Sequence, residues 1–195
     1  SDFWAWCGAD CRFCSWGPLD LMELQRNMRF YRMENPLPEP LLYYDVQKLF
    51  SLLYEDGKSR RSLEDAVEYL QLEKDIPFHR AYDDTCYTAR IMERMDWDRV
   101  KEYQSVDYYR LPSSRQEEIH LVFSGYGKYV SRIFGSREEA LRDKEVLSAR
   151  CYECGARMKR LLPWFATSSR QYSSLNECPV HGLVKGKIRV KKTPN

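Results

Sequence analysis

Two short knuckles near the carboxyl end, Cys151-Tyr152-Glu153-Cys154-Gly155 and Cys178-Pro179-Val180-His181-Gly182, place four soft or borderline ligands 23 residues apart. That set, Cys151, Cys154, Cys178 and His181, is the kind tetrahedral zinc takes, and with all four positions occupied the ion would be structural. The glycine after each pair suits a left-handed turn. A second constellation is His79 in a loop with Asp84 five residues on, at the start of a helix. A carboxylate there can hold a hard divalent ion while an imidazole takes a proton from water.

Positioning these groups falls to the following elements. Leu21, Leu24, Met28 and Tyr31 recur at helical spacing from Asp20 to about Met33, and "NPLPEP" ends that helix. "LLYYDV" reads as a strand and "QKLFSLLY" as a helix after it. Ser62, with Asp65 three residues later, opens another helix, and Asp83 to about Met95 forms the next, with two acids in its first turn. Phe3 to Trp6 reads as the end of a buried strand, and residues 98–118 as a polar linker. "IHLVFSGYGKYVSRIF" predicts a hairpin around Gly125 and Gly127, and Ser136 with Glu139 caps a helix over "GSREEALRDKEVL". The expected division is 1–97, 98–148 (linker, hairpin and helix) and 149–195, a zinc ribbon whose small core would draw much of its folding energy from the metal.

Composition narrows the class. No apolar run approaches the ~20 residues of a membrane span. Seven cysteines, an odd number, point to metal binding in a reducing cytosol rather than to a secreted disulfide scaffold. The chain opens at Ser1 with no initiator methionine or leader, which suggests a fragment. The overall charge of +2 is unevenly spread. Residues 150–195 hold ten Lys or Arg, including Lys191 and Lys192, against two Glu, a net of +8 that leaves −6 for the rest. A basic tail on an acidic body suggests a nucleic-acid partner, and Arg157, Lys159, Arg160, Arg170, Lys185, Lys187 and Arg189 are its candidate contacts.

With the elements in place, "RSLEDAVEYLQLEKDIPFHRAYDDTCYTARIM" resembles the last motif of the DEDDh 3′–5′ exonucleases, in which H-x4-D opens a helix. "FCSWGPLDLMELQRNMRFY" is similar to the second motif of the KapD-like and histone-mRNA exonuclease-like subgroup, where a W-G-like turn leads to an aspartate starting a helix. "YYDVQKLF" fits between them, so the resemblance covers residues 1–95. It implies an α/β fold: the later part of an RNase H-like exonuclease sheet with flanking helices, followed here by a β-hairpin–helix and a small zinc ribbon. It also implies Asp20 and Asp84 as ligands of Mg²⁺ or Mn²⁺, His79 as general base, and single-stranded 3′ ends as substrate. The family's first motif, Asp-x-Glu on the first strand, would precede Trp4. Without it two ions cannot be clamped across a phosphate, and the chain alone is expected to be inactive.

Two other readings stand beside this one. In the first, the zinc ribbon is a non-catalytic nucleic-acid- or protein-binding module. In the second, Cys7, Cys11 and Cys14, spaced C-x3-C-x2-C as in radical-SAM enzymes, hold a [4Fe–4S] cluster. Against the second, no repeated strand–helix units and no glycine-rich strand follow Cys14. Those cysteines read more simply as small packed residues leading to Asp20.

Overall fold

Asp45 both ends a strand and caps the next helix, its side chain accepting from the Lys48 N–H at 3.0 Å. Such local signals lay out the first of two units. The computed structural model describes residues 2–8, 10–123, 126–148 and 150–190. It is mixed α/β with two sheets, one of three strands and one of five, and it parts into units 1–109 and 110–195. Ser1, Gly125, Lys191 and Lys192, named above, lie outside the described residues, as does Ala149 at the expected ribbon boundary.

The first unit runs α1 (Asp2–Cys7), β1 (Cys14–Ser15), α2 (Leu19–Phe30), β2 (Leu42–Asp45), α3 (Val46–Tyr54), α4 (Leu63–Tyr69), α5 (Ala81–Arg94), α6 (Trp97–Val100) and β3 (Ser105–Val106). β1 pairs parallel with β2, with α2 in the crossover, and β3 pairs antiparallel on the other side of β2. The Ser62 hydroxyl accepts from the Asp65 N–H and starts α4 as expected. Val46, Leu49 and Phe50 of α3, Ala66 and Val67 of α4, and Tyr87 and Ile91 of α5 form the core, all fully buried. Each of the larger side chains there contributes about 1.5–3 kcal/mol.

Three expectations for this unit need correction. Phe3 to Trp6 is helical rather than a buried strand, with Phe3 and Trp6 exposed and Trp4 half-buried against Leu21, Leu37, Leu41 and Tyr43. A four-residue apolar run cannot distinguish the two by periodicity, and Asp2 in the first turn favours the helix. On α2, Gln25 rather than Tyr31 completes the inward stripe. Its amide donates to Asp107 Oδ2 at 2.9 Å, so a polar residue is buried with its partner. The expected linker is also structured: Val100 and Val106 are buried, and β3 closes the sheet. The unit therefore extends past residue 97, to 109.

The second unit runs β4 (Ile119–Phe123), β5 (Tyr126–Phe134), α7 (Arg137–Ala140), α8 (Lys144–Leu147), β6 (Lys159–Ser168), β7 (Gln171–Cys178) and β8 (Gly182–Val190). Its strand order is β4-β5-β8-β7-β6, with β5 and β8 parallel and the other neighbours antiparallel. The hairpin and the ribbon thus share one sheet, and the expected break near 148 is no boundary between bodies. The helix expected over "GSREEALRDKEVL" is two short ones. Asp143 starts a second helix by accepting from the Glu145 and Val146 N–H groups, and its other oxygen is held by Arg115 and Arg132. Gly186 is required where β8 crosses the core: a Cβ there would lie 2.6 Å from both Ser174 Oγ and Trp164 Cη2. Among the described residues no helix is long and apolar enough to cross a membrane.

Candidate metal centres

The cysteine centre is assembled by two turns. The β7–β8 hairpin turn carries Cys178 and His181, with Gly182 at φ +71°. In the other turn, the Gly155 N–H donates to Cys151 O, the Cys151 N–H donates to Ala156 O, and Gly155 sits at φ +69°. Both glycines hold the left-handed backbone that the sequence pattern required. Ligand atoms of Cys151, Cys154, Cys178 and His181 all lie within 4.8 Å of one another. Two zinc–sulfur bonds at the tetrahedral angle hold their sulfurs about 3.8 Å apart, and a sulfur and a nitrogen about 3.6 Å apart. The observed spacings are 3.7 Å for Cys154 Sγ to Cys178 Sγ, 3.5 Å for Cys151 Sγ to His181 Nδ1, and 3.8 Å for Cys178 Sγ to His181 Nδ1. Donor set and spacing therefore fit a structural zinc ion, with no ligand position left open.

The surroundings support that fit. Cys151 and Cys178 are buried with Met158 and Val184. His181 turns Nδ1 inward and Nε2 toward Glu153 Oε1 at 3.3 Å, the carboxylate–histidine arrangement that fixes a ligand's ring. Burial pushes the Cys178 thiol up. The backbone N–H groups of His181 and Val180, with the Cys154 and His181 side chains, outweigh it and bring the pKa down to about 6. A thiolate at neutral pH is the form that binds metal.

The carboxylate site is in the first unit. β1 ends in the turn Trp16-Gly17-Pro18, where Gly17 takes φ +93° and Ser15 Oγ donates to Gly17 O at 2.7 Å. The Trp16 indole donates to Arg61 O and packs edge-on against Phe50. This fixes the start of α2, and Asp20 stands in its first turn. Asp84 stands in the first turn of α5. The loop before α5 is pinned at three points. The Tyr87 hydroxyl donates to Ile76 O at 2.6 Å, Phe78 stacks on Tyr87 at 4.4 Å, and the His79 N–H donates to Asp84 Oδ1 at 3.1 Å. His79 is exposed and its φ is +67°, a left-handed backbone that costs a non-glycine residue about 1–2 kcal/mol.

Asp20 lies within reach of the charge of Asp84, 64 positions away in sequence. Asp20 keeps access to solvent, yet partial burial pushes its carboxyl above the ordinary range, and the Asp84 carboxylate adds to the rise. Ionisation is thus less favoured in the folded chain than in the unfolded one. Stability from the protonated carboxyl is present at low pH and lost as pH rises through the elevated pKa. Replacement of Asp20 by Asn is expected to raise the thermal midpoint at about pH 7 and to make no difference near pH 3, where both side chains are neutral. Melting curves at the two pH values check this, and a lower midpoint for the variant at neutral pH would contradict it.

Other residues singled out above are dispersed. Cys7 and Cys11 are close enough for a thiol–thiol hydrogen bond, while Cys14 packs against the core of the first unit. Among the described residues only the Cys151–His181 set gathers three or more potential ligands within 4.8 Å. Cys7, Cys11 and Cys14 do not do so, nor do Asp20, His79 and Asp84. Of the basic residues, Lys185, Lys187 and Arg189 alternate along β8, while Arg160 is drawn to Leu147 O on the opposite side of the sheet. Arg170 lies in the β6–β7 turn, Lys159 starts β6, and Arg157 bridges to Arg150. No family model, no curated protein and no solved structure matches the chain.

Proposed function

We propose that the protein is a metal-dependent 3′–5′ exonuclease of the DEDDh type, with an RNase H-like first unit and a zinc-stabilised second unit that holds the nucleic-acid backbone. The observation that carries the proposal is that two first-turn aspartates from distant segments, Asp20 and Asp84, come near enough for the charge of the second to act on the first, with the His79 loop hydrogen-bonded to the second. The parallel β1–α2–β2 crossover supports it, because Asp20 follows the carboxyl end of β1, where open α/β sheets hold their ligands.

Two mutually repelling carboxylates are hard oxygen donors for Mg²⁺ or Mn²⁺. Divalent ions held there would supply charge stabilisation at the phosphate and a more acidic water. Asp20 and Asp84 do the holding. Asp84 uses one oxygen to fix the His79 loop and keeps the other for a ligand. The His79 imidazole, exposed on its pinned loop, accepts the proton of the attacking water. Clamping two ions requires the Asp-x-Glu pair as well, from a segment acting with this one.

The test is trimming of single strands, labelled at either end, by the product of the complete reading frame with Mn²⁺. Release from the 3′ end, blocked by a chelator, is expected. If a frame that carries Asp-x-Glu trims neither end, the enzyme reading falls. A non-catalytic binding module then stands in its place, a reading favoured by the cysteine centre being the one tightly gathered ligand set among the described residues.

A further inference from the structure

The two faces of the five-stranded sheet differ in kind. One is packed: Gly127 and Gly186 lie against Tyr152 and Trp164, and Val184 and Ile188 point the same way into the core. Side chains alternate along a strand, so the neighbouring residues face the other way. Register then aligns them in rows. Phe123, Tyr126 and Leu183 form one row, Leu121, Lys128, Lys185, Leu175 and Leu162 a second, and Ile119, Val130, Lys187, Ser173 and Phe165 a third in which Val130 and Ser173 are buried, followed by Arg189 beside Gln171. Phe165, Leu162 and Leu183 are each more than 40% exposed. Phe123 and Tyr126 lie stacked at 4.7 Å and are half-buried.

This face mixes flat aromatic rings with cations. Lys128, Lys185, Lys187, Arg189 and Lys159 fall on it, and among the described strand residues Glu177 is the one carboxylate registered with them. Lys128 is registered directly beside Lys185. The exposed Leu162, Phe165 and Leu183 with the half-buried Phe123 and Tyr126 suit a partner that offers flat apolar faces and negative charge at once. A protein segment seldom offers both in alternation, whereas single-stranded nucleic acid does, with bases to stack and phosphates between them.

We infer that this sheet face is a stacking platform for single-stranded nucleic acid, with Phe123, Tyr126 and Phe165 meeting bases and Lys128, Lys185, Lys187 and Arg189 meeting phosphates. The inference rests on the nucleic-acid reading above and assigns its substrate class. Arg160, on the packed side, takes no part in the platform. A paired duplex hides the faces of its bases, so it can use the cations and not the rings.

The experiment measures binding of the zinc-loaded 195-residue chain to fluorescein-labelled oligothymidylate, oligouridylate and duplex DNA, each about 15 nucleotides long, without Mg²⁺ or Mn²⁺. Phe123→Leu and Phe165→Leu keep the apolar bulk and remove the ring, and wild-type zinc content shows that they fold. Each is expected to weaken single-strand binding about tenfold and to leave duplex binding within about twofold. Lys185→Ala with Lys187→Ala should weaken both substrates and flatten the salt dependence of single-strand binding by about 0.7 per lost contact. The two single strands show whether the platform takes DNA, RNA or both. Unchanged single-strand affinity in the leucine variants, with weaker binding in the lysine variant, would overturn the platform and keep the nucleic-acid contact. No binding by the wild-type chain would overturn both. Binding without 3′ trimming by the complete gene product would retain the platform and reject the exonuclease.

Discussion

A Cys151→Ala, Cys178→Ala variant is expected to lose its zinc, about one ion per chain in the parent, and with it the fold of residues 110–195. The cluster at the knuckles has four buried members, Cys151, Met158, Cys178 and Val184, and two of them are ligands. Removing those two leaves little apolar surface to hold the turns. The other cluster of the unit, Phe134, Ala140, Val146 and Ile188, is equally small. Structural zinc supplies on the order of 10 kcal/mol in comparable small domains, more than such clusters provide. Metal analysis should find no zinc in the variant, and amide exchange in β6, β7 and β8 should become fast. The first unit, with its own core around Phe50 and Tyr87, should keep its protection. A variant that retained its full zinc content would refute the assignment of these ligands.

The second large effect is at Asp84. Its replacement by Ala in the complete gene product is expected to lower Mn²⁺-dependent 3′ trimming by about 10³-fold, the scale of losing a group that stabilises the reacting charge. Alanine removes two things at once, a negative charge and the acceptor of the His79 N–H at 3.1 Å. Asparagine separates them. Asp84→Asn keeps an acceptor for His79, with loop and helix start intact, and removes only the charge. Equal loss in the two variants would assign the defect to the charge, whereas near-normal trimming in Asp84→Asn would assign it to the loop. A second readout does not depend on activity. The Asp84 charge helps raise the Asp20 carboxyl, so Asp84→Asn should move the Asp20 titration, followed by NMR, toward its ordinary range. Unchanged trimming in both variants would remove Asp84 from the site.

What the sequence made legible was chiefly local. The cysteine pairs bend over four residues each, and their glycines mark the left-handed turns, so the convergence of Cys151, Cys154, Cys178 and His181 could be read from spacing. Ser62 and Ser136 announced their helices because a hydroxyl three residues before an N–H caps it wherever the chain goes. What stayed hidden was decided by partners far along the chain. Gln25 is buried because Asp107 waits for it, 82 positions away. Ser105 and Val106 form a strand because the edge of β2 offers them hydrogen bonds. The aromatic and basic alternation in the hairpin and in the last strand was visible in each segment. That the two lie on one face depends on the β5–β8 register, which no local pattern encodes.

That register also bears on how the second unit comes into being. β8 is the last of the described strands in chain order, yet it occupies the middle of the sheet, between β5 and β7. A ribosome therefore delivers both flanks before the keystone that joins them. Until it emerges, the β4–β5 hairpin has an open edge and β7 has only β6 beside it. Pairing across such a separation is slow, and waiting edges attract other chains. A nonsense codon a few residues before β8 would thus divide the sheet through its middle rather than trim its border.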